Sequence, residues 1–386
     1  MNHPRRILII PSWYPPDGGY FFKEHSEAIR KMGWKVDVLV NRVVGVRKMI
    51  QTGPSALKGY TVHKENGLRV IRSSYLKIPG SEKHNIGRWA KETRRNYQKY
   101  ESLFGRPDLI LTHSVTWAGY AAALIKEKFD IPYLVVDHRS FFVWSTKKAR
   151  EMVKPYYLPF FEKAYRNCSK LVLVSESLLT GLKALMPWID NKTMVIPNMI
   201  REDMFLPPDE PRRTEPFVFV WAGRLEHVKG LDLLLEAVRE LKGRALPHFS
   251  VRLAGKGSLR SELEQMAGEL GVKDQVHFLG RLSREDMQKE MQKANCFVLP
   301  TRYEAFGAVL IEAMATGLPV IATRSGGPDT IVTEESGLLI DSDNYSQLAE
   351  AMEQMILDHK RFSAGQIRAM TIERYGQTGV MKRYNH

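Results

Sequence analysis

Short apolar runs alternate with amphipathic stretches along most of the chain. RRILII (5–10), KVDVLV (35–40), PDLILTH (107–113), PYLVVDH (132–138) and KLVLVS (170–175) are rich in Ile, Leu and Val. Such runs suit strands covered on both faces. FFKEHSEAIRKM (21–32) predicts a helix, and helical stretches separate most of the other runs. This alternation predicts a parallel, doubly wound α/β sheet. PNMIREDMFLPPDEPRRTEP (197–216) then interrupts it with five prolines and many charges, the composition of a linker. After it the pattern restarts: FVFVWAG, helix 230–242, FSVRLAG, helix 258–270, VHFLG, helix 283–294, CFVLP, helix 307–317, PVIAT. Two Rossmann-like domains are expected, 1–205 and 206–365, with a cleft between them. In each, ligands belong at the carboxyl ends of the strands.

Composition narrows the class. The 386 residues are 44% hydrophobic and 26% charged, as in ordinary globular proteins. No window holds the ~18 apolar residues of a membrane span. Arg5 and Arg6 precede an apolar run that ends at Ile10, too short for a signal-peptide core, so a buried strand is expected. Cys168 and Cys296 lie in different halves and form neither a metal spacing nor a disulfide framework, so a cytoplasmic, reducing context is expected.

Charge changes the picture more. Residues 1–200 hold 33 Lys and Arg against 16 Asp and Glu, whereas residues 201–386 hold 24 against 27. A strongly basic first half predicts an anionic partner there, with plain solubility as the alternative. KHNIGRWAKETRRNYQKY (83–100) sets Ile86, Trp89, Tyr97 and Tyr100 at roughly helical spacing among six cations. It reads as a basic amphipathic helix lying on anionic lipid, or as a solvated helix packed through one face.

Three strand-to-helix turns of the second half carry candidate chemistry. In WAGRLEHVKGLDLLLEAV (221–238), Gly223 follows a strand, Arg224 and Lys229 come next, and Gly230 opens a helix. Two cations beside a glycine can clamp an anion. LAGKGSLRSELEQM (253–266) is a Gly-x-Gly turn entering a helix, with Ser258 as candidate N-cap. In RYEAFGAVLIEA (302–313), Phe306-Gly307 begins a helix whose free N–H groups suit a phosphate. Glu304 and Glu312 flank that start, and carboxylates in so apolar a stretch need partners. Each turn alone is weak, since a Gly-x-Gly is more often a tight connection and a strand-end cation is usually solvated.

Taken in order, GRLEHVKG, GKGSLRSEL, FLGRLSREDM and LPTRYEAFGAVLIEAMATGLPVIATRSGGPDTI resemble the nucleotide-sugar domain of retaining glycosyltransferases of the GT-B fold, glycosyltransferase family 4. The first half matches more loosely, through PPDGG, His138 and the IPN step at 196–198. The resemblance implies that residues 366–386 return to the N-terminal domain. It implies that Arg224 and Lys229 bind the donor diphosphate and stabilise the leaving nucleotide. Glu312 would accept hydrogen bonds from the ribose, and Glu304 would lie on the sugar side. The backbone of Ala305, Phe306 and Gly307 would face phosphate and sugar, with Gly223 beside the clamp and Arg281 at the base-contacting edge. Gly18 and Gly19 would approach the diphosphate from the N-terminal domain, and His138 would lie near sugar and acceptor. Apart from the resemblance, RSFFVWSTKKAR (139–150) puts Phe141, Phe142 and Trp144 beside basic residues and reads as a candidate acceptor-side lid. Three positions depart from the family: Ala305 stands for glycine, Lys256 for an acidic residue, and Met199 for the glycine after Asn198.

The implied activity is transfer of a sugar from a nucleoside-diphosphate sugar to a hydroxyl of a glycan or lipid-linked acceptor, with retention, in cell-surface polysaccharide or glycolipid synthesis. No cofactor is implied. Asp341-Ser342-Asp343 reads as a turn and N-cap rather than a metal site, because two cations already serve the leaving group. His113 ends a strand too and reads as structural. The expected location is cytoplasmic and peripheral on the inner face of the membrane, with no nucleic-acid partner. Two alternatives stand beside this reading: a nucleotide-sugar hydrolase or epimerase on the same fold, and a non-catalytic protein binding lipid or nucleic acid.

Overall fold

The apolar runs become the central strands of two sheets. The computed structural model describes residues 5–16, 18–53, 57, 59–138, 143 and 153–385. The chain divides into two compact units, 1–196 and 197–386.

The first unit contains β1 (Arg6–Pro11), α1 (Tyr20–Lys31), β2 (Lys35–Gly45), α2 (Val46–Thr52), β3 (Thr61–Glu65), β4 (Leu68–Lys77), α3 (Glu82–Phe104), β5 (Leu109–His113), α4 (Tyr120–Phe129), β6 (Tyr133–Asp137), α5 (Leu158–Asn167), β7 (Lys170–Leu173), α6 (Glu176–Leu185) and β8 (Thr193–Val195). Its sheet order is β3-β4-β2-β1-β5-β6-β7-β8. Every neighbouring pair is parallel except β3 with β4. That hairpin turns through Asn66-Gly67, both at positive φ, as a two-residue connection requires. Strand order reverses between β1 and β5, so ligands are expected at their carboxyl ends.

Helix α3 settles the alternative left open for residues 83–100. Ser81 caps it, its hydroxyl accepting from His84 N–H at 3.2 Å. Ile86, Trp89, Tyr97 and Tyr100 are fully buried in the unit's core. The Trp89 indole N–H donates to the Asn41 carbonyl at 2.8 Å, and the Tyr100 hydroxyl to Asp37 at 2.8 Å. The apolar face is thus consumed by packing and is not available to lipid. The cations Lys83, Arg88, Lys91, Arg95 and Lys99 stay exposed on its outer side.

The second unit contains β9 (Phe217–Arg224), α7 (Leu231–Lys242), β10 (Phe249–Lys256), α8 (Arg260–Glu269), β11 (Val276–Gly280), α9 (Arg284–Lys293), β12 (Cys296–Leu299), α10 (Ala308–Ala315), β13 (Val320–Thr323), α11 (Pro328–Ile331), β14 (Gly337–Ile340), α12 (Tyr345–Asp358), α13 (Ala364–Tyr375) and α14 (Gln377–Lys382). Its six strands are parallel, ordered β11-β10-β9-β12-β13-β14. This is a doubly wound order whose direction reverses between β9 and β12.

The proline-rich stretch is a strap rather than a loose linker. The Arg368 guanidinium donates to the Phe205 carbonyl at 2.7 Å and also to that of Ala315. Asn295 donates to the Arg213 carbonyl at 2.7 Å, Arg212 to that of Thr316 at 2.5 Å, and Gln292 to those of Leu206 and Pro207 at 3.0 Å. Ile200 pairs with the chain at Tyr375 and Gly376. These contacts all run to the second unit, which begins at Pro197. Residues 366–386, expected with the first domain, are grouped with the second unit, where α13 packs on α10.

Candidate functional site

In the second unit the candidate residues gather where strand order reverses. β9 delivers Gly223 and Arg224, and the next turn, His227–Lys229, delivers Lys229. Gly230 follows at φ 64°, a left-handed conformation. A β-carbon there would run into the Pro300 carbonyl. Only glycine lets the turn after β9 lie this close to the end of β12.

Arg302 fixes the same turn from the other strand. It is 12% exposed and grips Asp232 at 2.9 and 2.6 Å, Asp343 at 2.6 Å and the His227 carbonyl at 2.6 Å. The Thr301 hydroxyl donates to the Val228 carbonyl at 2.9 Å. Burial alone would raise the Asp232 pKa, but the Arg302 hydrogen bonds and charge outweigh it and hold the carboxyl below its usual range. The Asp232 hydrogen bond in turn holds the guanidinium above its usual value. Asp343, half of the D-x-D, therefore serves Arg302, and Asn344 rather than an aspartate caps α12 by accepting from Gln347 N–H at 3.0 Å. No cluster suited to a metal occurs among the described residues.

Lys229 and Glu304 meet at 2.6 Å, each side chain 18% exposed. Glu304 is locked by its backbone: its N–H donates to the Ser325 carbonyl, and its carbonyl accepts from Gly327 N–H, both at 2.8 Å. Ala305 and Phe306 are buried, and Gly307 caps α10 at φ 97°. Gly327 packs so tightly on Phe306 that a β-carbon would strike its backbone. The first N–H groups of α10 thus start beside a cation–carboxylate pair, an arrangement that can hold an anion.

The remaining candidates are looser. Arg224 is 74% exposed and pairs with Glu226 at 2.7 Å. Such a surface pair is worth about 0–1 kcal/mol, so its guanidinium swings to another anion at little cost. Glu312 pairs with Arg284 at 3.2 Å, so the partner that its carboxylate needs is supplied by α9. Arg281 is exposed directly after β11. Ser258 does not cap α8, whose N-cap position is Leu259 without a side-chain bond. The Gly-x-Gly pair has a packing cause: β-carbons at Gly255 and Gly257 would strike the carbonyls of Gly223 and Leu225.

In the first unit, Gly18 and Gly19 adopt φ 112° and 72° ahead of α1. A β-carbon on Gly19 would lie 2.7 Å from the Trp13 carbonyl. Trp13, Tyr20 and Phe21 are exposed around this turn. The Phe21 ring meets His138 edge-on at 4.9 Å, so the glycine turn and His138 share one strand edge. His138 is not alone there. Its Nε2 lies 3.3 Å from Nδ1 of His113, whose Nε2 lies 3.2 Å from Nδ1 of His25. Burial pushes His25 down to about 4 and, helped by the His25 charge, His138 down to about 3. His113 is lowered too, by burial first and then by its two neighbours. Sequence reasoning missed Arg302, Asp232 and His25, and read His113 as structural. His113 and His138 ending neighbouring strands was the signal available for that pair. Phe141, Phe142 and Trp144 lie outside the described residues.

Known proteins match both units of the chain. The family "Glycosyl transferases group 1" matches residues 204–371, and "Glycosyltransferase Family 4" matches residues 19–203. A D-inositol 3-phosphate glycosyltransferase of Corynebacterium jeikeium is 30% identical over 88% of this chain and 83% of its own length. The putative teichuronic acid biosynthesis glycosyltransferase TuaC of Bacillus subtilis is 27% identical over 90% of this chain and 88% of its own. Among solved structures, a sucrose-phosphate synthase from Thermosynechococcus elongatus superposes with TM-score 0.79 at 22% identity, covering 99% of this chain and 98% of that one. Anabaena HepE, solved with UDP, superposes with TM-score 0.73 at 18% identity over the same shares. With two Rossmann-like units and matches spanning both, the chain belongs to glycosyltransferase family 4, has the GT-B fold, and is an enzyme that transfers sugars.

Proposed function

We propose that the protein moves a sugar from a nucleoside-diphosphate sugar to a hydroxyl of a glycan or lipid-linked acceptor, with retention of configuration, in cell-surface polysaccharide or glycolipid synthesis. The observation that carries this is the Lys229–Glu304 pair at the strand-order reversal, beside the start of α10. In this reading Lys229 and Arg224 turn to the donor diphosphate and stabilise the charge that builds as it leaves. The α10 start, from Ala305 through Gly307, holds phosphate, and Gly223 lets the backbone approach. Glu304, released from Lys229, takes sugar hydroxyls. Glu312 reaches the ribose and Arg281 the base. Gly18 and Gly19 receive the diphosphate on the first unit, where His138 attends sugar and acceptor. The departing phosphate oxygen takes the acceptor proton on the same face, so no separate base and no metal are needed.

A panel of nucleotide sugars scored for thermal stabilisation tests the donor. A donor at 100-fold over its Kd adds ~2.7 kcal/mol of stability and raises the Tm measurably. No shift with any donor, and no sugar transfer, would sink the reading. Release of free sugar with and without acceptor alike would make the protein a hydrolase instead.

The same proposal places the enzyme at the cytoplasmic face of a membrane. No helix among the described residues is long and apolar enough to cross one. A peripheral contact is supported at α2, which has no buried residue. Ile50 is 76% exposed there beside the exposed Arg47 and Lys48. Each cation near an anionic surface contributes ~1 kcal/mol. Sedimentation with phosphatidylglycerol vesicles but not with phosphatidylcholine vesicles is expected, and Ile50→Glu should abolish it. Equal recovery with neither lipid would remove the membrane from the proposal.

A further inference from the structure

His25, His113 and His138 form a continuous file of imidazoles running inward from the strand edge. His25 and His113 are buried. Phe22 stacks on the His113 ring at 4.2 Å and 25°. The Ser12 hydroxyl donates to the His113 carbonyl at 3.1 Å, and Ser114 N–H to that of Val136 at 2.9 Å, so the strand end that carries the ring is fixed on both sides. The two ring-to-ring contacts use Nδ1 of one histidine and Nε2 of the next in the same sense each time.

Proton counting makes this order consequential. A neutral imidazole carries one N–H, so it can donate from one nitrogen while accepting at the other. Both nitrogens of His113 face another histidine. If His113 donates from Nδ1 to His138, it accepts at Nε2 from His25 Nδ1. All three rings then carry their proton on Nδ1. If His113 donates from Nε2 to His25, it accepts from His138 Nε2, and all three carry it on Nε2. A mixed file would set two lone pairs, or two N–H groups, against each other inside a buried site. Burial also disfavours a cation at any of the three.

We propose that His113 and His25 are positioning residues that lock the tautomer of His138, so that its Nδ1 is a pure donor or a pure acceptor as the whole file dictates. His138 Nδ1 is buried and has no hydrogen-bond partner among the described residues. On the proposed reading of His138, this is the atom that meets a substrate oxygen, while His25 Nε2 ends the file on the interior side. Its character reverses only when a proton enters one end of the file and another leaves the far end, at His25 Nε2. The inference rests on the reading of His138 as the residue that attends sugar and acceptor.

Two-bond 1H–15N spectra of the full chain labelled at histidine nitrogen test it. In the wild type at pH 7, His25, His113 and His138 should be neutral and share one tautomer. His113→Phe should leave His138 averaging between both tautomers. Turnover should fall roughly 10–100-fold, the size of loss seen when the hydrogen-bond partner that orients a metal-bound imidazole is removed, with KM for the donor little changed. His25→Asn, whose amide sits at the position of Nδ1, should keep most of the turnover, whereas His25→Leu should lose it. Mixed tautomers within the wild-type file would overturn the proposal. So would an unchanged His138 spectrum with unchanged kcat in both His113→Phe and His25→Leu. A wild type inert towards every donor would overturn the functional reading instead, because the spectra report the coupling without any donor present.

Discussion

Replacing Lys229 by alanine is expected to lower kcat by about 10²–10³-fold, the usual loss when one preorganised group facing a developing negative charge is removed. The residue sits in the turn after β9, 2.6 Å from Glu304 and 18% exposed. Its charge is therefore only partly screened, and the turn that carries it is already fixed by Arg302 and Thr301. KM for the donor should rise less than kcat falls, because a leaving group gains charge only on the way to the transition state. The ammonium also neutralises Glu304, so the alanine variant leaves a half-buried carboxylate facing an incoming diphosphate. The double variant Lys229→Ala/Glu304→Gln separates the two effects. It should recover donor binding relative to the single variant, measured by thermal shift, without recovering turnover. Turnover close to wild type in Lys229→Ala would remove the leaving-group role from this residue.

Gly230→Ala is expected to be the most damaging small substitution in the second unit. Two costs add. An L-residue at φ 64° is strained, and the new methyl would collide with the Pro300 carbonyl, a backbone atom that cannot swing away. Overpacking and backbone strain together cost about 3 kcal/mol or more. In a unit of this size that is a fall in Tm of roughly 6–12 °C. The strain lies between the turn that carries Lys229 and the end of β12. Donor-dependent stabilisation should therefore shrink along with intrinsic stability. Gly271→Ala is the control. Its φ is 68°, but nothing lies within 4 Å of its would-be β-carbon, so it should show the strain without the collision. Equal losses at the two positions would mean that the close approach to Pro300 contributes nothing.

Much of the framework is legible because it is local. β1, β6, β9 and β12 are continuous apolar runs in the sequence, and each is a strand covered on both faces in the fold. The helix expected over 21–32 spans Tyr20–Lys31, and that over 283–294 spans Arg284–Lys293. The β3–β4 hairpin went unread although ENGL contains an Asn-Gly turn, because strand β3 lies at the sheet edge and has almost no apolar pattern. Residues 83–100 have the right periodicity for an amphipathic helix, but periodicity does not say whether the apolar face meets lipid or protein. The fold chose protein. The prolines of 197–216 look like freedom in the sequence, yet the carbonyls between them are tied down by Arg368, Asn295 and Gln292.

By itself the sequence determined the fold class, the family, and the kinds of side chain at the strand ends: two cations, two carboxylates, glycines at the turns and a histidine. The family came through the resemblance of the second-half motifs; the rest follows from spacing within a few residues, which fixes element type and places residues just beyond a strand. Tertiary structure decided who faces whom. Lys229 and Glu304 are 75 positions apart, Glu312 finds Arg284 on another helix, and Arg302 gathers Asp232 from α7 and Asp343 from the turn after β14. The histidine file draws on α1 and on the ends of two neighbouring strands. Such pairings depend on strand order and register, which are set by the packing of the whole sheet and leave no periodic trace in the chain.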